Sequence, residues 1–257
     1  MKQAKKFITK KTLFTILGII LFLLIWSLIS FFVDEHQMIF PGPFSTIKET
    51  FAILSKPLVY EHMLSSITRL LIGFSIALGL GLIFGIISGN SKSFRTLVSP
   101  TILSLKSIPT ASLVFLFLVL FGAFETPIVM VAIISFPIIY DSIVAGIDNL
   151  DESVIDAMKI DSGNKLRNVV FVQIPLLIPY FIVGISSSLA LSFKIEIMAE
   201  ILSGDTRSGL GCAIVGAQHN DPTNMVPIFA YSLIVIVLAL LADLIFKLIK
   251  KKINYKK

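Results

Sequence analysis

The sequence predicts an all-α, polytopic membrane protein with six transmembrane helices. Three observations carry this expectation. Hydrophobic residues make up 55% of the 257-residue chain and charged residues only 15%, against about 25% charged in a soluble domain. The mean hydropathy is +0.91. The apolar residues also fall in long runs separated by short polar stretches, and a helix of about 20 such residues crosses a bilayer.

The predicted spans are 12–33, 66–89, 100–121, 127–147, 175–200 and 225–246. The first run, Thr12 to Val33, has 22 residues and follows Lys2, Lys5, Lys6, Lys10 and Lys11 in a basic segment, 1–11. It is longer than a signal-peptide core and lacks a small-residue cleavage site, so it reads as an uncleaved span. Residues 34–65 are polar and interrupted by Pro41, Pro43 and Pro57, with a short surface helix expected over 44–54. In the second span Gly73, Ala77, Gly81, Gly85 and Gly89 recur every fourth residue. That spacing makes one smooth face where another backbone can approach closely. A short loop with Lys92 and Arg95 leads to the third span, where Lys106 lies near the inner end and Pro109 is expected to bend the helix. A turn at 122–126 precedes the fourth span, which contains Pro137. A polar segment, 148–174, separates it from the fifth span at Pro175. A Gly-rich stretch, 201–224, precedes the sixth, and a basic tail, 247–257, follows it.

Charge placement orients this layout. Of the 22 Lys and Arg residues, 16 fall on the side that holds both termini and the 148–174 segment. The opposite side holds Lys48, Lys56, Arg69 and Arg207, while Lys106 and Lys194 lie within spans. The excess of basic residues predicts a plasma-membrane protein with both termini and the 148–174 segment in the cytoplasm.

That segment is a polar island between apolar spans. Leu150, Val154, Ala157 and Met158 fall at helical spacing on one apolar stripe, with Asp151, Glu152, Asp156 and Lys159 off it. Asn149 or Asp151 can cap the helix, and its acidic first turn suits the dipole. Such a helix can rest in lipid headgroups or fill an apolar groove of a protein partner. The acidic turns disfavour an anionic lipid surface and favour the groove.

Here the chain resembles the inner-membrane subunits of binding-protein-dependent ABC importers. Their loop reads Glu-Ala-Ala-x3-Gly-x9-Ile-x-Leu-Pro; this chain reads Asp156-Ala157-Met158, Ser162-Gly163, then Val172-x-Ile174-Pro175. Ser66-x-x-Arg69-x-x-x-Gly73-Phe74 is similar to the start of one of the family's spans, and Lys106-Ser107-Ile108-Pro109 to its Arg-x-Ile-Pro. Phe40-Pro41-Gly42-Pro43, Phe121-Gly122 and Phe136-Pro137 also fit. Glu200-Ile201-Leu202 followed by Gly209-Leu210-Gly211 resembles the nitrate/sulfonate/taurine branch. Many members have Trp near the place of Phe193 and Lys194, and this chain does not.

The resemblance implies a type I ABC importer permease fold and a transport subunit rather than an enzyme. It implies a second permease subunit, as a homodimer, two cytoplasmic ATPase subunits that bind the ATP, and an extracytoplasmic solute-binding protein. It also implies that Val154, Asp156, Ala157, Met158, Lys159, Ser162 and Gly163 engage the ATPase. The solute would be a small anionic or organic molecule of the nitrate, sulfonate, taurine or pyrimidine-precursor kind.

The residues themselves agree with a chain that holds no cofactor. No Gly-Lys dipeptide occurs, so there is no Walker A loop, and neither a His-Glu-x-x-His nor a Gly-x-Ser-x-Gly motif occurs. His36, His62 and His219 are scattered in outer polar segments, and Cys212 is the single cysteine, which excludes an internal disulfide or a multi-cysteine metal site. The net charge of +6 sits in terminal clusters without interleaved aromatics, which argues against nucleic acid. Lys194, Glu196, Glu200 and Arg69 are the ionisable residues expected on the pathway or at the outer gate. Lys194 lies about 28 Å along a helix from Pro175. Ionisable groups in spans serve function or pair with one another, and both roles are open for these four; for Arg69 the structural role is favoured, as partner of Glu196 or Glu200 or as an anchor at the headgroups. The rival reading is an ion-coupled secondary transporter, which would call for inverted repeats and carboxylates at mid-depth.

Overall fold

The computed structural model describes residues 2–33, 39–160, 165–204 and 208–254, and all regular structure among them is helical. The order is α1 (Lys2–Val33), α2 (Pro43–Leu54), α3 (Pro57–Asn90), α4 (Lys92–Ser107), α5 (Thr110–Phe121), α6 (Thr126–Asp148), α7 (Glu152–Ile160), α8 (Lys165–Asn168), a π-helical turn (Val169–Gln173), α9 (Ile174–Ser203), α10 (Leu210–Asn220) and α11 (Val226–Asn254). Five described helices are each long and apolar enough to cross a bilayer, and α4 with α5 makes a further apolar pair.

The core is the stack of α3, α6 and α9. Gly81 of α3 faces Ile139 and Tyr140 of α6, and Gly85 faces Ile143. A Cβ on either glycine would stand 2.6 Å from Ile139 Cγ2 or 2.8 Å from Ile143 Cβ. Gly73 and Gly89 meet α6 in the same way, at Val131 and Ile147. The small-residue face expected from the sequence is therefore the α3–α6 seam, and the order of contacts makes the two helices parallel. In α9 the order reverses: Gly146 meets Leu177 and Tyr180, Gly184 meets Ser142, and Ser135 and Ser192 share a hydrogen bond at 2.5 Å. So α9 is antiparallel to α6.

The parallel pair constrains what lies between. The chain leaves the end of α3 and must return to the opposite end before α6 begins, so α4 and α5 together make that return. They do so as a broken path with a 101° bend. The sequence suggested one bent helix from Pro100. Instead Ser91 caps a helix that starts at Lys92, accepting from the Phe94 N–H at 3.3 Å, and that helix runs through Pro100. Ile108 and Pro109 are both extended, with ψ of 131° and 122°. A residue before proline avoids the helical region, and the proline itself offers no N–H, so the helix stops there rather than bending.

Other boundaries follow local rules. Pro43, Pro57 and Pro127 each stand in the first turn of a helix, where their missing N–H costs nothing. For α3 this extends the helix back to Pro57, through polar residues that the sequence left outside the span. At 34 residues α3 is about 51 Å long, well beyond the roughly 30 Å hydrocarbon thickness. Only 6% of the most apolar stretch within 12–33 is buried. Trp26 Nε1 donates to the Pro41 carbonyl at 2.9 Å and Ser30 to the Phe40 carbonyl at 2.7 Å, which ties α1 to the chain before α2.

Candidate functional site

Two assemblies lie at opposite ends of α9. At the end far from α7, Glu200 is the centre of a closed polar cluster. Its carboxylate forms an ion pair with Arg69 of α3; the two side chains are 0% and 2% exposed. The Ser66 hydroxyl donates to the same carboxylate, 3.0 Å from Oε1 and 2.9 Å from Oε2, and the Gly211 N–H donates to Oε2 at 2.8 Å. Ser66 Oγ in turn accepts from the Leu210 N–H at 2.8 Å. Arg69 also donates to the Ser208 carbonyl at 3.2 Å and the Ser208 hydroxyl at 2.8 Å, and its guanidinium carbon lies 4.6 Å from the Phe124 ring centroid.

Sequence spacing accounts for this geometry. Ser66 and Arg69, three residues apart on a helix, share one face. Gly209 has φ +108°, and a Cβ there would run into the Glu200 carboxylate. Gly211 is also tight, its added Cβ standing 2.6 Å from Glu200 Cβ. Glycine at both positions lets the start of α10 fold over the carboxylate. A buried charge in a membrane protein is tolerated when paired and hydrogen-bonded, and Glu200 is both.

Glu196 lies one turn away on the same face. It is 0% exposed, and among the described residues its carboxyl has no hydrogen-bond partner other than the carboxyl of Glu200. Lys194 is exposed on another face of α9, apart from the cluster. Of the four ionisable residues singled out, the structure joins Arg69 and Glu200, stacks Glu196 beside them, and leaves Lys194 separate.

At the other end of α9 sits α7. Leu150 packs against Ile143, Ile147 and Leu177, which holds the start of α7 to α6 and α9. The Asn168 side-chain amide donates to the Met158 carbonyl at 3.2 Å. Asn90 and Gln173 exchange two amide hydrogen bonds, each 2.9 Å, and so clamp the end of α3 to the turn before α9. On α7, Val154 and Met158 are half-buried while Asp156 and Ala157 are exposed. Ile160 is 83% exposed. The predicted apolar stripe thus divides: part anchors the helix, and part, with Ile160, is presented outward. The side chain of Lys159, and Ser162 and Gly163, lie outside the described residues.

The sequence quoted Ser66 and Gly209-Leu210-Gly211 as motif letters without joining them to Glu200. Ser208 and Phe124 gave no signal, because their contacts come from chain folding between distant segments. Ile160 could have been found from its i, i+3 relation to Ala157.

Residues 77–255, more than half of the chain, match the family described as binding-protein-dependent transport system inner membrane component. The chain belongs to this family. The permease is 26% identical over 230 residues to the putative aliphatic sulfonates transport permease protein of Bacillus subtilis, a match covering 89% of this chain and 82% of that one. It is 23% identical to the taurine transport system permease protein of Escherichia coli, covering 76% and 70%. It is 25% identical to the nitrate import permease protein of Synechococcus elongatus, covering 77% and 74%. These relatives support the nitrate/sulfonate/taurine-like branch. In fold, the permease is similar to the MetNI methionine ABC transporter in an inward-facing conformation, with a TM-score of 0.58 at 19% identity over 76% of this chain and 94% of that one. It is equally similar to an amino acid ABC transporter, with a TM-score of 0.59 at 19% identity over 78% and 96%. The fold is that of the type I ABC importer permeases. The family assignment displaces the secondary-transporter reading.

Proposed function

We propose that this permease forms the solute path of an ATP-driven importer as one of two copies, and that α7 couples it to a separate ATPase. In this proposal ATP binds only to that partner, and a solute-binding protein delivers cargo to the end bearing α10. Both termini and α7 face the cytoplasm, in keeping with the excess of basic residues on that side. The cargo is a small anionic or organic solute of the sulfonate, taurine, nitrate or pyrimidine-precursor type. Lys194, exposed near the far end of α9, is the cation such a solute meets near the outer gate.

One observation carries the coupling. The apolar residues from Leu150 to Ile160 are divided between an anchored set and a presented set, with Leu150 half-buried against the α6–α9 cluster and Ile160 83% exposed. A helix that only rested in headgroups would have no need of a fixed attachment to α6 and α9. A helix that transmits force needs both a grip on its neighbour and a rigid root. From that root α9 runs 30 residues, about 45 Å, and carries the Glu200 cluster near its far end. Displacement of α7 is therefore delivered to the far end by one continuous helix. Val154, Ala157 and Met158 supply apolar contact and Asp156 and Lys159 the polar rim, with Ser162 and Gly163 completing the loop.

The test is co-purification with the cognate ATPase. Ala157→Glu and Ile160→Glu are expected to abolish ATPase retention while the permease still accumulates in the membrane at the unmodified level. Full retention of the ATPase by both variants would defeat the proposal.

A further inference from the structure

Two ion pairs occupy a face of the permease that the family resemblance does not explain. Between α4 and α6, Arg95 pairs with Asp148 at 2.9 Å and Lys106 pairs with Asp141. They border an open cavity of about 270 Å³ whose wall also includes Ser99, Tyr140 and Ala145. Asp148 ends α6, but Asp141 lies seven residues earlier, about 10 Å inside the span. Lys106 and Asp141 are nevertheless 40% and 50% exposed. Ionisable groups at such depth face protein or water and not lipid, and among the described residues nothing covers them. Ile83 of α3 lies at a matched depth, since Gly81 and Gly85 meet Ile139 and Ile143. It is 55% exposed and apolar, as a lipid-facing residue should be.

The pairing also leaves capacity unused. Lys106 Nζ donates to one oxygen, Asp141 Oδ2, while an ammonium carries three N–H donors. A second acceptor can approach from the open side.

We infer that the α4–α6 face bearing these two pairs walls a water-filled part of the solute path, and that Lys106 receives a small oxyanion there. The inference deepens the permease reading and rests on it. Asp141 holds the ammonium in place between passages, and Arg95 with Asp148 continues the polar rail toward the α7 end.

The test uses the assembled transporter in membrane vesicles of both orientations. Cys212 is buried and is replaced by serine to give a cysteine-free background. Ser99→Cys, Ala145→Cys and Ile83→Cys are then treated with small membrane-impermeant methanethiosulfonates, one ending in a sulfonate and one in a quaternary ammonium. Ser99→Cys and Ala145→Cys are expected to react at least about tenfold faster than Ile83→Cys, and to prefer the anionic reagent by a ratio that Lys106→Gln lowers about tenfold. Asp141→Asn should raise the same ratio, so a Lys106 variant that fails to assemble does not end the test. Equal, slow labelling at all three positions would overturn the water-filled wall. Fast labelling with a ratio indifferent to both variants would overturn the oxyanion role of Lys106. Neither result depends on ATPase binding, so failure here is distinct from failure of the coupling proposal.

Discussion

Arg69 and Glu200 are 131 residues apart in the chain and form an ion pair with less than 3% of either side chain exposed. The pair fastens α3 to α9 at the end remote from α7, and the glycines that start α10 close over it. Removing one partner leaves the other charge buried. Arg69→Met and Glu200→Gln are each expected to destabilise the permease by about 3–5 kcal/mol, read as a lowered thermal midpoint in detergent. The double variant Arg69→Met/Glu200→Met should recover a large part of the loss. No recovery in the double variant would mean that the pair is not the stabilising unit.

Glu196 provides the contrast. It shares the face of Glu200, and its carboxyl has no hydrogen-bond partner among the described residues other than the Glu200 carboxyl. Glu196→Gln keeps a donor toward that neighbour and should change stability by less than about 1 kcal/mol. A loss equal to that of Glu200→Gln would show that the two carboxyl groups act as one unit.

The α3–α6 seam has no room for side chains. With a Cβ at Gly85 placed 2.8 Å from Ile143 Cβ, Gly85→Ala is expected to cost about 1–3 kcal/mol through overpacking. Gly85→Ala combined with Ile143→Ala should be more stable than the sum of the two single losses. Strict additivity in the thermal melts would argue against direct contact.

Leu150 tests whether α7 transmits force or only binds. Leu150→Ala leaves the presented residues Ala157 and Ile160 intact and loosens the root against Ile143, Ile147 and Leu177. ATPase co-purification should remain within about twofold, a few tenths of a kcal/mol, while uptake per ATP hydrolysed falls sharply in proteoliposomes. Unchanged coupling would show that the helix needs no anchored root.

The amide pair of Asn90 and Gln173 sits at the same end, with Gln173 only 3% exposed. Asn90→Ala leaves a buried amide unpaired and is expected to cost about 1–3 kcal/mol. Replacing both by leucine should cost less than the single change, and the comparison of the two melting curves decides it.

By itself the sequence determined the spans' existence, the small-residue face of α3 and the amphipathic segment after α6. Each of these is a matter of local composition or periodicity, which the bilayer and the helix translate directly into structure. It also supplied the letters of the Glu200 cluster, Ser66, Arg69, Gly209 and Gly211, but not their meeting. Only the tertiary structure decided that Arg69 chooses Glu200 over Glu196, that Lys194 faces away, and that Lys106 finds Asp141. Such pairings depend on the tilt and register of helices far apart in the chain, which no local pattern encodes. The break at Pro109 shows both influences. Proline dictated a stop, while the parallel packing of α3 and α6 required that the chain between them return across the core.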